Sequence, residues 1–295
     1  MENNKNNRNA VNPIQWFPGH MAKTRRIITE NLPQVDIVLE LLDARAVNSS
    51  QNPEIKKITG QFKKPVLTLM NKSDLADDTI NQKWTEYYKK NGEYILPIDC
   101  RSGAGLRSIP PKIKEILSEK IERYKNKGMA GRRLRAMIVG IPNVGKSSLL
   151  NKICKDIKAK VEDKPGVTLR KQWVSSELGI DLLDMPGVLW PKFENEKVGQ
   201  HLAFIGSIKD DILDSAETAV KLCGFLRERY PAKLAERFKL EILEQYDEYG
   251  IFLQIGKNRG YILSGGEIDE ERCAKTILTE FRSAKIGRIS LEWPE

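Results

Sequence analysis

Apolar residues over the first 184 positions fall into short runs separated by amphipathic stretches. Val35–Asp43 (VDIVLELLD) is continuous enough for a strand buried on both faces, and Pro65–Met70 (PVLTLM), Tyr94–Ile98 and Leu134–Val139 (LRAMIV) repeat that texture. Helical spacing between them predicts helices around 53–60, 77–90 and 108–126. Short apolar runs alternating with helices predict a mostly parallel sheet covered on both faces. Lys171–Ser176 and Ile180–Leu183, separated by Glu177-Leu178-Gly179, read as a hairpin at the edge of that sheet. Six strands result, in a doubly wound α/β unit closing near residue 207. Beyond it the texture changes: Asp214–Arg229, Leu234–Tyr249 and Glu267–Lys285 have helical period, punctuated by Pro231 and the glycines at 250, 256, 260, 265 and 266. The expected layout is a loose tail over 1–13, an α/β domain over 14–207 and a mainly helical domain over 210–295.

Composition narrows the classes. At about 150 residues per domain, 295 residues allow two domains. No stretch resembles 18 consecutive apolar residues, and the N-terminus (MENNKNNRNAVN) is polar, so neither a membrane span nor a secretory signal is expected. The cysteines at 100, 154, 223 and 273 form no CxxC, and there are only two histidines; a zinc site and a disulfide framework are both set aside, and a cytoplasmic location is expected. Lys and Arg number 49 against 40 Asp and Glu, a net charge of +9, which suits either a polyanionic partner such as nucleic acid or an ordinary, mildly basic soluble protein. The surplus is local. Residues 105–135 carry ten basic and three acidic residues, and Lys155, Lys158 and Lys160 form a second patch, whereas residues 217–295 hold 13 basic and 14 acidic. The first segment suits either a phosphate-backbone contact or a solvated helix face.

The sharpest motif is GIPNVGKS, Gly140 to Ser147, directly after the strand LRAMIV and before the apolar SLLNKI. It fits GxxxxGK[ST] in the strand–loop–helix context that motif needs. Its glycines let backbone N–H groups converge on phosphate oxygens, and the helix N-terminus adds partial positive charge. Within the loop, Asn143, Val144, Gly145, Lys146, Ser147 and Ser148 are the candidate phosphate contacts, with Lys146 reaching the β/γ-phosphates and Ser147 offering a hydroxyl to Mg²⁺. Downstream, Asp184-Met185-Pro186-Gly187 closes the strand IDLLD. A carboxylate there suits the outer shell of the Mg²⁺, and Gly187 suits a γ-phosphate contact. Between them, Thr168 of Pro165-Gly166-Val167-Thr168 is positioned to close over the metal.

Asn71-Lys72-Ser73-Asp74 follows the strand PVLTLM. A carboxylate at Asp74 can accept two hydrogen bonds, from the N1–H and the exocyclic amine of guanine, which adenine cannot supply. GxxxxGKS, DxxG and NKxD together form a GTPase signature, but in an unusual order, because NKxD precedes the phosphate loop by about 70 residues instead of following it. A circularly permuted domain closes the same sheet, since the termini of compact domains lie close together. A second guanine-side loop should then follow NKxD. Asp99-Cys100-Arg101-Ser102-Gly103-Ala104-Gly105 occupies that place, with Asp99 and Cys100 standing where the usual motif has Ser-Ala, so their contact with the base is expected through backbone N–H groups.

The chain resembles the circularly permuted GTPases of the ribosome biogenesis GTPase A family. The resemblance is carried by these motifs, by Trp16-Phe17-Pro18-Gly19-His20-Met21-Ala22-Lys23, by Leu42-Asp43-Ala44-Arg45, by Asp184–Trp190 continuing into Pro191-Lys192-Phe193, and by the C-terminal Gly287–Trp293. It implies a GTPase acting late in assembly of the large (50S) ribosomal subunit. The implied partners are GTP and GDP, together with a precursor particle of 23S rRNA and ribosomal proteins that the helical C-terminal domain contacts. A monomer without membrane contact is expected.

Hydrolysis needs a group that orients water. Where Ras-like GTPases carry a Gln after DxxG, this chain has Val188, then Leu189, neither of which can hydrogen-bond a water, so slow intrinsic turnover is expected. The resemblance implies His20 as the catalytic residue; a helix cap or an RNA contact is the competing role. Asn143 resembles the asparagine that coordinates K⁺ in related GTPases, a cation that would offset transition-state charge. The ribosomal particle could also order the segments around Thr168 and Asp184. His201, amid LAFI, reads as packing. The rivals to a ribosome-assembly switch are a GTPase acting on another RNA, such as tRNA, and a GTP-dependent RNA-binding scaffold with incidental hydrolysis.

Overall fold

The computed structural model describes residues 18–154, 172–176, 179–185, 195–241 and 245–295, with the side chains of 18–24 and Gln172 outside that description. Six strands, β1 (Ile37–Asp43), β2 (Val66–Asn71), β3 (Tyr94–Pro97), β4 (Leu134–Gly140), β5 (Gln172–Ser175) and β6 (Ile180–Asp184), form one sheet in the order β3-β2-β1-β4-β6-β5. All neighbours are parallel except β5, which runs antiparallel to β6. All seven residues of β1 are buried, as a central strand of a two-sided sheet requires. The α/β class, the six strands and the edge hairpin are as the sequence pattern predicts.

The strand order also shows the permutation. Relabelled with β4 first, followed by β5, β6, β1, β2 and β3, the sheet reads 6-5-4-1-3-2. The chain leaves β1 toward one edge and β4 toward the other, so these central neighbours define a topological switch point, the place where open α/β sheets bind ligands. Register carries the motifs to one end of the sheet: Asp43 lies opposite Asn71, Leu41 opposite Gly140, and Ile138 opposite Asp184.

The helices of this half are α1 (Pro18–Asn31), α2 (Val47–Ser50), α3 (Pro53–Gln61), α4 (Asp78–Lys90), α5 (Ile109–Ile116), α6 (Ser118–Asn126) and α7 (Lys146–Ile153). Asn52 caps α3 by accepting from the Glu54 N–H, with Pro53 in the first turn, and Asp77 caps α4 by accepting from Thr79 and Ile80. Then come α8 (Glu196–Phe204), α9 (Ser215–Arg229), α10 (Pro231–Phe238), α11 (Glu248–Asn258) and α12 (Glu270–Arg282). Asp214, Asp247 and Asp269 cap α9, α11 and α12.

Leu234–Tyr249 is not one helix. Helix α10 stops at Phe238 because Lys239 takes a left-handed φ of 56° and Leu240 N–H turns back to the Ala235 carbonyl. Among the described residues the next α-helix is Glu248–Asn258, which runs through Gly250 and Gly256, helical residues and not punctuation. Gly256 is a contact glycine: a Cβ there would lie 2.5 Å from Ile268 Cγ2.

One apolar cluster runs from sheet residues such as Leu39 and Ile138 through Leu149 and Phe204 to Leu222, Phe252 and Phe281 of the later helices. Two smaller clusters lie under α1 and α3 and under α2 and α4, the latter with Trp293 packed against it. Among the described residues, no helix is long and apolar enough to cross a membrane.

Candidate nucleotide site

The phosphate loop begins where β4 ends. Gly140 has φ +153°, and a Cβ on it would sit 2.6 Å from the Leu41 carbonyl of the neighbouring strand, so only glycine lets the chain turn there. Asn143 (φ 61°) and Gly145 (φ +104°) also take positive φ, and a Cβ on Gly145 would collide with Asn71 Nδ2. Lys146 opens α7 with its ammonium turned onto the loop, donating to the carbonyls of Gly140 (3.1 Å) and Ile141 (2.8 Å). Ser147 and Ser148 follow, half-buried, in the first turn.

The NKxD loop meets this loop directly. Asn71 Nδ2 donates to the Val144 carbonyl at 2.6 Å, and its Oδ1 accepts from the Cys100 N–H at 3.0 Å. Lys72 Nζ donates to the Asn143 carbonyl at 2.7 Å and pairs with Asp43 at 3.0 Å. Asn71 therefore clips together three loops drawn from distant parts of the chain. Asp74 lies at the cavity rim, its carboxylate a third exposed and 3.6 Å from the exposed Arg101.

In the second guanine-side loop the backbone donors are already used. Asp99 N–H goes to the Ala104 carbonyl and Cys100 N–H to Asn71, while the Asp99 carboxylate accepts from Arg101 and Ser102 N–H. Hydrogen bonds from the Ser102 side chain and from that backbone hold the Asp99 carboxyl below its ordinary range, despite burial.

Asp184 and Lys146 are coupled to each other electrostatically. Burial pushes the Lys146 ammonium down to about 8, against the pull of Asp184, and lifts the Asp184 carboxyl to about 6, against Lys146. Asp184 Oδ1 is buried without a hydrogen-bond partner, an orphaned acceptor that suits a hydrated cation. With the Ser147 hydroxyl this is a donor set of hard oxygens, which fits Mg²⁺. Thr168, Gly187 and Val188 lie outside the described residues. His20 falls in the first turn of α1, with its side chain outside the description. Asn143 Nδ2 donates to the Gly206 carbonyl at 2.7 Å.

Sequence reasoning missed the support beneath the site. Asp43, fully buried at the end of β1, takes two bonds from the Arg45 guanidinium (2.8 and 2.9 Å) and one ion pair from Lys72. Burial alone would raise the Asp43 carboxyl, but the charges of Arg45 and Lys72 outweigh it and hold the group well below the usual range. A cavity of about 530 Å³ is lined by Asn71, Asp74, Cys100 and Ser148 together with Gly206 and Arg282, so the later helices form part of its wall. His201 packs against Phe204 and Phe225, as the sequence suggests, and also meets Glu292 (3.0 Å) and Ser49 (3.1 Å).

A phosphate loop at the switch point, a guanine-type loop from the opposite half of the sheet, and a permuted strand order define a circularly permuted P-loop GTPase. The family described as 50S ribosome-binding GTPase matches residues 135–240. Ribosome biogenesis GTPase A of Bacillus cereus is 45% identical over 282 residues, covering 96% of this chain and 94% of that protein. Its Bacillus licheniformis counterpart is 46% identical over 96% of this chain and 99% of its own length. The crystal structure of GNP-bound YlqF from T. maritima matches with a TM-score of 0.62 at 26% identity, covering 92% of this chain and 99% of that one. The chain belongs to the ribosome biogenesis GTPase A family.

Proposed function

We propose that this chain hydrolyses GTP to GDP and phosphate as a switch in late assembly of the large ribosomal subunit. The observation that carries the reading is the Asn71 clip, which ties the NKxD loop to the phosphate loop and the Asp99–Cys100 loop within one pocket. Family membership and a relative solved with GNP support it. In this reading Asp74 accepts from the guanine base, Lys72 and the backbone around Cys100 wall it, and the N–H groups of 143–148 cradle the phosphates. Lys146 exchanges loop carbonyls for β/γ-phosphate oxygens. Ser147 and Thr168 would hold Mg²⁺, with Asp184 in its outer shell and Gly187 meeting the γ-phosphate; the ion would supply positive charge at the phosphate oxygens. His20 is the candidate for orienting water, and Asn143 for K⁺. The partner is a precursor particle of 23S rRNA and ribosomal proteins in the cytoplasm, met by a monomer whose RNA-contacting part is the helical domain over 210–295.

The test is GTP turnover measured with and without 50S particles. Large stimulation is expected, because Val188 leaves the chain without a Ras-type water-orienting side chain. Unchanged turnover at saturating particle would favour the RNA-binding scaffold.

A further inference from the structure

The C-terminal segment Gly287–Trp293, part of the family resemblance, lies against the guanine side of the sheet. We propose that Arg288 is a positioning residue for the base-reading loop, and that residues 287–293 are the strap through which the later helices hold Asp74 in register with a guanine base. The inference rests on the reading of Asp74 as the base acceptor.

A carboxylate discriminates guanine only while its loop is held to within about half an ångström. Asn71 and Lys72 are fixed by the phosphate loop, but the residues after them lean the other way. Ser73 carbonyl accepts from Arg288 Nη2 at 2.8 Å and Ala76 carbonyl from Arg288 Nε at 2.8 Å. Leu75 carbonyl accepts from the Ile289 N–H at 3.1 Å, and Asp77 N–H donates to Ser290 Oγ at 3.2 Å. Arg288 also pairs with the Asp78 carboxylate. Four of the five residues from Ser73 to Asp77 are thus bonded by 288–290; the remaining one is Asp74, whose carboxylate has a 3.6 Å pairing with an exposed arginine. Its placement comes from the backbone on either side, and that backbone is held by the strap.

The residue type is specific. Two carbonyls and a carboxylate surround one side chain, which suits the planar fork of a guanidinium and not the single-point ammonium of lysine. The strap is anchored in turn on the helices. Lys233 Nζ donates to the Arg288 carbonyl at 2.5 Å, Tyr230 OH donates to the Ser290 carbonyl at 3.0 Å, and Ser290 N–H donates back to Tyr230 OH at 3.1 Å. Gly287 (φ +127°) lets the chain pass Lys233, where a Cβ would lie 2.9 Å from Cδ. Glu292 continues the attachment onto Ser49 and His201. A displacement of α9–α10 therefore acts on the base end of the pocket through residues 288–290.

The experiment compares dissociation constants of fluorescent GDP and IDP for the full chain; hypoxanthine lacks the exocyclic amine whose N–H donates to Asp74. Arg288→Ala is expected to weaken GDP about tenfold, the worth of one charge-assisted hydrogen bond, and IDP much less, so that the GDP-over-IDP ratio contracts. Arg288→Lys, which keeps charge and stem, should contract it equally, and it serves where the alanine variant fails to fold. A ratio unchanged in Arg288→Lys, with only the melting temperature lowered, would make the strap a structural clamp and overturn the inference. Asp74→Ala is the control that separates the two claims. Loss of the ratio there with retention in the Arg288 variants overturns the strap alone; retention in Asp74→Ala overturns the base reading on which the strap rests.

Discussion

Glu40 lies in the middle of β1, 3% exposed, with one carboxylate oxygen lacking any partner and the group accepting from the Asn52 N–H and the Gln51 side chain. Burial outweighs those bonds and raises its carboxyl to about 7. A carboxyl raised on folding binds its proton in the native state while the unfolded chain has released it, so stability is greatest below the unfolded value and falls as pH rises toward the folded one. The penalty is about 3 kcal/mol by the usual conversion of pKa shift to free energy. Glu40→Gln keeps the shape and removes the titration. Urea melts at pH 5 and pH 8 should show it far more stabilising, relative to the native chain, at the higher pH; an equal difference at both would mean that Glu40 is not the group titrating. The GxxxxGKS, DxxG and NKxD motifs were legible in the sequence because each keeps its residues close together along one loop. Arg288 and the Asp43–Arg45 pair were not legible as machinery, because what they hold is either 200 residues away or beneath the loop, and no periodicity marks it.

At the scale of elements, the site depends on three strand ends being cross-linked by one amide. Asn71→Ala removes both bonds of the clip and leaves the Val144 carbonyl and the Cys100 N–H buried without their partner, a cost of about 2–4 kcal/mol. Chemical denaturation should show a loss of that size, and GTP affinity should fall at least tenfold; retention of both would mean that the loops hold their places without it. The strands were readable because buried parallel strands are continuous apolar runs. Helices were less so. The short α2 is a single turn, α8 gathers most of its apolar residues at its C-terminal end, and α11 hides behind Gly250 and Gly256, whose small size serves contact with neighbours and not chain reversal. The boundary between α10 and α11 is set by a left-handed Lys239, a conformation its residue type does not advertise.

For the whole molecule, the continuous apolar cluster linking sheet and helices predicts one cooperative unit, although sequence texture divides it near residue 207. Calorimetry of the full chain should give a single transition with matching calorimetric and van't Hoff enthalpies. Two resolved transitions would mean that the α/β and helical parts melt independently. The central position of the β1–β4 pair has a further consequence, at the moment the protein is made. Synthesis delivers β1, β2 and β3 first, with β1 exposing from Ile37 to Leu41 the backbone edge that only β4, some forty residues after β3, will cover. Such an uncovered, largely apolar edge invites pairing with other chains. A nascent copy emerging from the tunnel thus carries a half-built sheet that cannot grip a triphosphate, and elongation through Gly140 is the step that relieves it of both handicaps.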